Sequence, residues 1–203
     1  MRAARLIRET IELRDGRKVT LRPIRPTDAV LLVDLHQHLS ADSQFYRFFG
    51  PKPDLSPAEA EYLANVDFTK RFAIVASVDE DGERLVAVGR FDIAEDEDEA
   101  EVAIVVRDDH QGVGLGRAVL ERLLDVARGR GIRALVGEVL AENVRMLDLL
   151  RSSGLEVGQP DGSVVRVAVP VTDTPLIFRG LGIVARSTTA IADRAGRLRR
   201  RRA

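Results

Sequence analysis

The chain contains no cysteine, which excludes a cysteine acyl-enzyme and any thiolate metal site. The same absence fits a cytoplasmic setting. Histidine is scarce: only His36, His38 and His110 are present. His36 and His38 fall in a helical pattern and read as structural or surface residues, and His110 reads as a turn residue rather than a proton carrier. No apolar run approaches the roughly 20 residues that cross a bilayer, so no membrane span is expected. The basic start, Met1-Arg2-Ala3-Ala4-Arg5, is followed by no long apolar core or cleavage site, so no signal peptide is expected. Charge of one sign is also missing. The 31 basic and 32 acidic residues leave a net charge of −1, and no bulk field points to nucleic acid as a partner.

What is present suits one soluble domain, with 203 residues, 45% hydrophobic and 31% charged. The near-neutral total hides an asymmetry. From Asp173 onward eight arginines face two aspartates, a surplus of six positive charges, and the body before it is acidic. The expected organisation is a domain over residues 1–172 and a basic tail over 173–203. Ile177, Leu181, Val184, Thr188, Ile191, Ala195 and Leu198 recur at helical spacing in that tail, although Gly180, Gly182 and Gly196 weaken a helix there. The run 197–202 reads as a frayed, solvated end, with contact to an acidic partner, nucleic acid or an anionic membrane as the other reading.

The chain is organised around residues 101–117, E-V-A-I-V-V-R-D-D-H-Q-G-V-G-L-G-R. Val102, Ile104, Val105 and Val106 read as a buried strand. Gly112, Gly114 and Gly116 then alternate, and Leu115, Val119, Leu120, Leu123, Leu124, Val126 and Ala127 form a helical stripe. Strand, glycine turn and helix start together suit phosphate, because the first helix amides lack intrahelical partners and carry the positive dipole end. A P-loop is excluded because no Lys-Ser or Lys-Thr step follows the glycines. A dinucleotide fingerprint is excluded because its third glycine position falls on Arg117 or Val119.

Around this centre, two alternating runs, 10–13 and 18–24, flank Asp15-Gly16, a hairpin signal. Thr27 is expected to cap a helix with the stripe Val30, Leu31, Leu35 and Leu39, and Ser40 and Ser56-Pro57 open two more. Strands are expected over 72–78, 84–93, 132–140 and 164–169, with Val157 in a further strand turning at 160–162. A helix is expected over 143–153. The acidic run 95–99 reads as a solvated loop, its functional version being a guide for a basic acceptor surface. The fold class is therefore α/β (α+β): a mixed, mostly antiparallel sheet with helices on both faces.

The pattern Q-x-x-G-x-G at residues 111–116, after a strand carrying a glutamate, resembles the pyrophosphate loop of GNAT-superfamily N-acetyltransferases, which use acetyl-CoA. Asn143-x-x-Met146-x-x-Leu149-Leu150, ending at Gly154-Leu155, resembles the segment that in this superfamily flanks the coenzyme thiol. Leu150 stands where many members place a tyrosine as general acid, and that tyrosine is absent. Three further stretches, R-D-G-R-K-V-T-L-R-P-I-R-P-T-D-A, L-S-A-D-S-Q-F-Y-R-F-F-G-P-K-P and V-D-F-T-K-R-F-A-I-V-A, are similar to bacterial protein lysine acetyltransferases. Those enzymes acetylate the active-site lysine of acyl-AMP-forming acyl-CoA synthetases. Relatives of this kind are often fused to a cyclic-nucleotide-binding or synthetase module, for which 203 residues leave no room.

The resemblance implies an acetyl-CoA-dependent N-acetyltransferase acting on a protein lysine by direct transfer. A lysine amine with an ordinary pKa of about 10.4 costs on the order of 4–5 kcal/mol to neutralise at pH 7, so a nearby base assists. Glu101, opening the central strand, matches the position of the family's catalytic glutamate, with Glu99 and Glu138 as substitutes. The implied coenzyme residues are Ile104, Val105, Val106, Gln111, Gly112, Val113, Gly114, Leu115, Gly116, Arg117, Asn143 and Met146, with amides near Val105 and Val106 polarising the thioester carbonyl. No metal is implied. Two other readings are compatible with the sequence: acetylation of a small amine, and a non-catalytic acyl-CoA-binding module. The acyl length and the oligomeric state are left open.

Overall fold

A computed structural model describes residues 8–93, 98–153, 155 and 157–172. The basic tail and its apolar stripe, and residues 95–97 of the acidic run, lie outside the described residues. Among those described, no helix is long and apolar enough to cross a membrane.

Among the described residues seven strands form one sheet in sequence order: β1 (Glu9–Glu12), β2 (Lys18–Pro23), β3 (Arg71–Asp79), β4 (Glu83–Ile93), β5 (Glu99–Val106), β6 (Ala134–Leu140) and β7 (Val164–Pro170). Every neighbouring pair is antiparallel except β5 and β6. That one parallel step needs a crossover, and α4 (Leu115–Gly129) supplies it. The first hairpin turns at Asp15-Gly16 as its sequence requires, with Gly16 at φ 84°.

Two cores lie on opposite faces of the sheet. On one face α4 buries the whole of its expected stripe, from Leu115 to Ala127, against Val86, Phe91 and Leu135. Helix α5 (Val144–Ser152) adds Leu147 and Leu150 to this side. On the other face α1 (Ala29–Gln37), α2 (Ala41–Phe48) and α3 (Pro57–Ala64) follow one another, and Leu32, Leu35, Ala60 and Ala64 pack on Ala73, Val75 and Leu85. The approach of α4 to the sheet depends on Gly89 in β4. A Cβ there would collide with Val119 Cγ1 and come within 3.1 Å of Leu123 Cδ1. Gly89→Ala is expected to lower stability by about 1–3 kcal/mol, the usual range for overpacking. Thermal melting followed by circular dichroism checks it, with an unchanged midpoint counting against tight α4 docking.

Three helix starts are closed by side chains. The Ser40 hydroxyl accepts from Ser43 N at 3.2 Å, Ser56 and Glu59 form a reciprocal capping box behind Pro57, and Asn143 Oδ1 accepts from Met146 N at 3.2 Å. Helix α1 departs from expectation. Residues Pro26–Asp28 form a 3₁₀ turn, Thr27 caps nothing, and the helix begins after Asp28. This rephases the stripe to Leu32, Leu35, His36 and Leu39, leaving Val30 72% exposed. The expected strand at Val157 is also absent: residues 157–160 are irregular, and the last hairpin is reduced to a single bridge, Asp161 to Val164, before β7.

Candidate active site

Strands β5 and β6 pair over three residues only, from Glu99 with Ala134 to Glu101 with Val136. Beyond that point β5 continues to Val106 and β6 to Leu140 without pairing, so a V-shaped gap opens between them. The ladder fixes what lines the gap. Arg107 N–H donates to the Val86 carbonyl at 2.8 Å, continuing the register of β4 and β5. Hydrogen-bonding direction alternates along a strand. Residues 101, 103 and 105 therefore turn their backbone groups toward β4, and Val102, Ile104 and Val106 turn theirs into the gap. Val105 meets β4 with its amide and faces the α1–α3 side with its side chain. The amides of Ile104 and Val106 are the ones aimed at whatever fills the V.

At the wide end of the gap lies the glycine loop. Gly112 and Gly114 adopt φ 76° and 97°, the left-handed region glycine enters freely, and Gly114 is the residue from which α4 springs. Gly116 lies in the first turn of α4, where a Cβ would make only ordinary contacts of 3.5 and 3.7 Å. Unlike α2, α3 and α5, this helix has no side-chain cap among the described residues. Among the described residues, no amide from 112 to 117 has a hydrogen-bond acceptor. Such a row of donors at the positive end of a 15-residue helix suits a diphosphate.

The predicted residues take distinct stations around this opening. The Gln111 side chain is turned inward: its amide donates to the Val106 carbonyl at 2.8 Å and to the Ser43 hydroxyl at 3.1 Å, and Arg145 of α5 donates to its oxygen. It ties β5, α2 and α5 together around the loop. Val113 accepts from Arg14 N at 3.1 Å, Leu115 is fully buried, and Arg117 is bridged to Glu121 at 2.9 Å. Asn143 caps α5, and Met146 packs half-buried on the α4 core. Leu150 is buried at 4% exposure, a core residue in the place of the family tyrosine.

Glu101 is exposed at the narrow end of the V, on the α1–α3 face, opposite Asp92 of β4 and Val136 of β6. It has no ion-pair partner among the described residues. Glu138, one of its substitutes, is held by Arg166 at 3.3 Å. Two groups near this site escaped the sequence reading, Arg47 of α2 and Arg90 of β4. The fields of Glu101 and Asp92 reach Arg47, and Arg90 sits 3.3 Å from Asp92. Arg47 lies within the quoted stretch Q-F-Y-R-F-F-G, yet its spacing to Arg90 in the sequence carries no signal.

The loop's supports are polar. Asp108 is raised by burial, but the Ser40 amide and the Ser40 and Ser43 hydroxyls outweigh this and hold it below the usual range. Asp109 is held far lower by the Arg107 fork, against some burial, with help from His110 Nδ1 at 2.7 Å. His110 is thus a buried turn residue behind the loop. Arg17 of the first hairpin donates to the Asp109 carbonyl at 2.9 Å. Folded values below the unfolded one of about 3.9 give stability that is complete above roughly pH 4 and lost as pH falls through the folded values. The melting midpoint is therefore expected to be flat between about pH 5 and 7 and to fall below about pH 4. Asp108→Asn should start lower and fall less steeply, and a parallel fall in the variant would remove Asp108 from this account.

Comparison with known proteins agrees with this geometry. Residues 18–156 match the acetyltransferase (GNAT) domain. An acetyltransferase of Pseudomonas aeruginosa is 37% identical over 150 residues, covering 73% of this chain and 80% of that protein. Acetyltransferase Pat of Mycolicibacterium smegmatis is 30% identical over 168 residues, covering 81% of this chain but only 50% of that longer protein. The crystal structure of the GNAT domain of S. lividans PAT superposes with a TM-score of 0.74 at 35% identity, covering 80% of this chain and 96% of that one. With its splayed β5 and β6 and its uncapped glycine loop, the chain belongs to the GNAT family of acetyltransferases.

Proposed function

We propose that this enzyme transfers an acetyl group from acetyl-CoA to a lysine side chain of a protein, an acyl-AMP-forming acyl-CoA synthetase being the substrate class implied by the motifs. The observation that carries this reading is Glu101, a carboxylate with no ion-pair partner among the described residues, at the point where β5 and β6 part. The amides of residues 112–117 receive the diphosphate, and the pantetheine arm runs down the gap. Ile104 or Val106 N–H polarises the thioester carbonyl, whose oxygen gains charge in the tetrahedral transition state. The lysine amine attacks that carbon, the C–N bond forms, and the C–S bond breaks to release the coenzyme thiolate. Glu101 takes the ammonium proton, directly or through water. No covalent acyl-enzyme is needed, in keeping with a chain that lacks cysteine.

The three stretches similar to protein lysine acetyltransferases, and the likeness to proteins named Pat, support a protein acceptor over a small amine. The test is incubation of purified acyl-CoA synthetases with enzyme and acetyl-CoA. Acetylation of the synthetase active-site lysine is expected by mass spectrometry, with parallel loss of synthetase activity. An enzyme that binds acetyl-CoA yet modifies none of them would end this assignment.

A further inference from the structure

A half-open cavity of about 40 Å³ lies on the α1–α3 side of β4 and β5. Its walls are largely aliphatic, including Leu32, Leu35, Val88 and Val105, but Arg47 and Arg90 also line it. By the measure in which one water needs roughly 10–15 Å³, there is room for a group of a few heavy atoms.

Two guanidiniums in an apolar lining require an explanation. Arg90 is 7% exposed, and its contacts to the Asp92 carboxylate are long, 3.3 and 3.4 Å. Arg47 stands 5.1 Å over the ring of its neighbour Phe48 and bonds no carboxylate among the described residues. Burial, and then the like charge of Arg90, push Arg47 below its ordinary pKa, and Asp92 and Glu101 only partly offset this. A cation in such surroundings is stabilised by an anion that accepts its hydrogen bonds.

The placement of the charges says what kind of anion. Asp92 and Glu101 face each other across β4 and β5, and the next pair on the same sheet face is Arg90 with Ala103. Along a strand that step is about 7 Å. Carboxylates stand outside at Glu101 and the half-exposed Asp92, and guanidiniums stand inside. Glu101 and the cavity share the α1–α3 face, so an amine that reaches Glu101 arrives over the cavity.

From this arrangement we infer that the Arg47–Arg90 cavity is an acceptor subsite for a carboxylate carried close to the reacting amine. The inference rests on the amine arriving at Glu101. Two sources supply that chemistry: an acidic side chain adjacent to the acceptor lysine, or the α-carboxylate of a free amino acid whose own amine is the acceptor. In both, the ammonium meets Glu101 and Asp92 and the carboxylate enters between the guanidiniums. Arg47 and Arg90 select the acceptor and take no part in proton transfer.

Calorimetric titration into CoA-saturated enzyme tests this without requiring turnover. One probe pair is a capped Gly-Glu-Lys-Gly peptide and its Gly-Gln-Lys-Gly counterpart; the other is leucine and leucinamide. At least one carboxylate probe is expected to bind about ten- to a hundredfold more tightly than its amide, the range for hydrogen bonds to a charged group. Arg47→Met should abolish the difference and Arg47→Lys should keep part of it, with circular dichroism confirming that both variants are folded. A preference in the peptide pair identifies the flanking residue, and one in the leucine pair identifies a free amino acid. Equal or undetectable binding within both pairs, or a preference that survives Arg47→Met, overturns the subsite. These outcomes are separable from the lysine assignment. Discrimination in the leucine pair alone, with no transfer to any protein, keeps the subsite and removes that assignment; acetylated synthetase with no carboxylate preference does the reverse.

Discussion

Glu101→Gln is expected to lower kcat for amine acetylation by about 10²- to 10⁴-fold while acetyl-CoA binding stays within a factor of two or so, the loss typical of a removed general base. The substitution keeps the size of the side chain and removes only its capacity to hold a proton. Glu101 is exposed and supports no ion pair among the described residues, so folding should be unaffected. The donors proposed for the coenzyme lie elsewhere, in the loop and on the even-numbered residues of β5. Asp92 is the control that gives the result its meaning. It is Glu101's cross-strand neighbour, but its carboxylate is engaged by Arg90 at 3.3 Å and Arg71 at 3.8 Å. Asp92→Asn should therefore cost far less. Stopped-turnover rates with acetyl-CoA, paired with calorimetric affinities, check both variants. If Glu101→Gln retains full kcat, the base lies elsewhere, and Glu99, on the same sheet face, is the next residue to change.

The local features of this fold were legible because they are set by local chemistry. The α4 stripe is an unbroken helical period, and all seven of its predicted members are buried. Asp15-Gly16 and Ser56-Pro57 act within a few residues of themselves, and both made the turn and the cap expected of them. The glycine loop was readable because its strand and helix adjoin it in sequence. Misreadings came where a side-chain partner, near or far in sequence, sets the local conformation. Asp28 is drawn onto Arg22, a 3₁₀ turn forms ahead of α1, and the helix is rephased so that Val30 faces water. Both partners lie within eight residues of Val30, but no spacing pattern in the sequence says that they pair. Arg47 and Arg90 are 43 positions apart and line one cavity only because α2 packs on β5, beside β4. The same holds for Gln111, which reads as a loop residue but fastens α2 and α5 to the end of β5. Motif and period locate the glycine loop proposed for the coenzyme, and the face proposed for the acceptor is a product of tertiary packing.

That packing hangs on one buried ion pair, and its removal is the second large effect expected. Arg22 of β2, 1% exposed, forks onto Asp28 at 2.7 and 2.8 Å and also reaches Glu83 of β4 at 2.9 Å. Asp28, 2% exposed, accepts a further bond from Arg25 N at 2.7 Å. Asp28→Ala takes the forked acceptor from a buried guanidinium, which keeps Glu83 and the Pro23 carbonyl, and the acceptor from the Arg25 amide, a loss of about 3–5 kcal/mol. For a domain of this size that is roughly 6–20 °C in the melting midpoint. The exposed pair Arg151–Asp148, at 3.1 Å, is the contrast, and Asp148→Ala should move stability by no more than about 0.5 kcal/mol. A double variant, Arg22→Met with Asp28→Leu, removes both charges at once and should recover much of the loss, because an apolar pair of similar volume has no charge to bury. Recovery of stability without recovery of catalysis would have a structural reading. Asp28 sets where α1 begins, and α1 supplies Leu32 and Leu35 to the cavity beside Glu101. A midpoint lowered by less than about 2 °C in Asp28→Ala would mean that the pair is not what fixes the α1–α3 face.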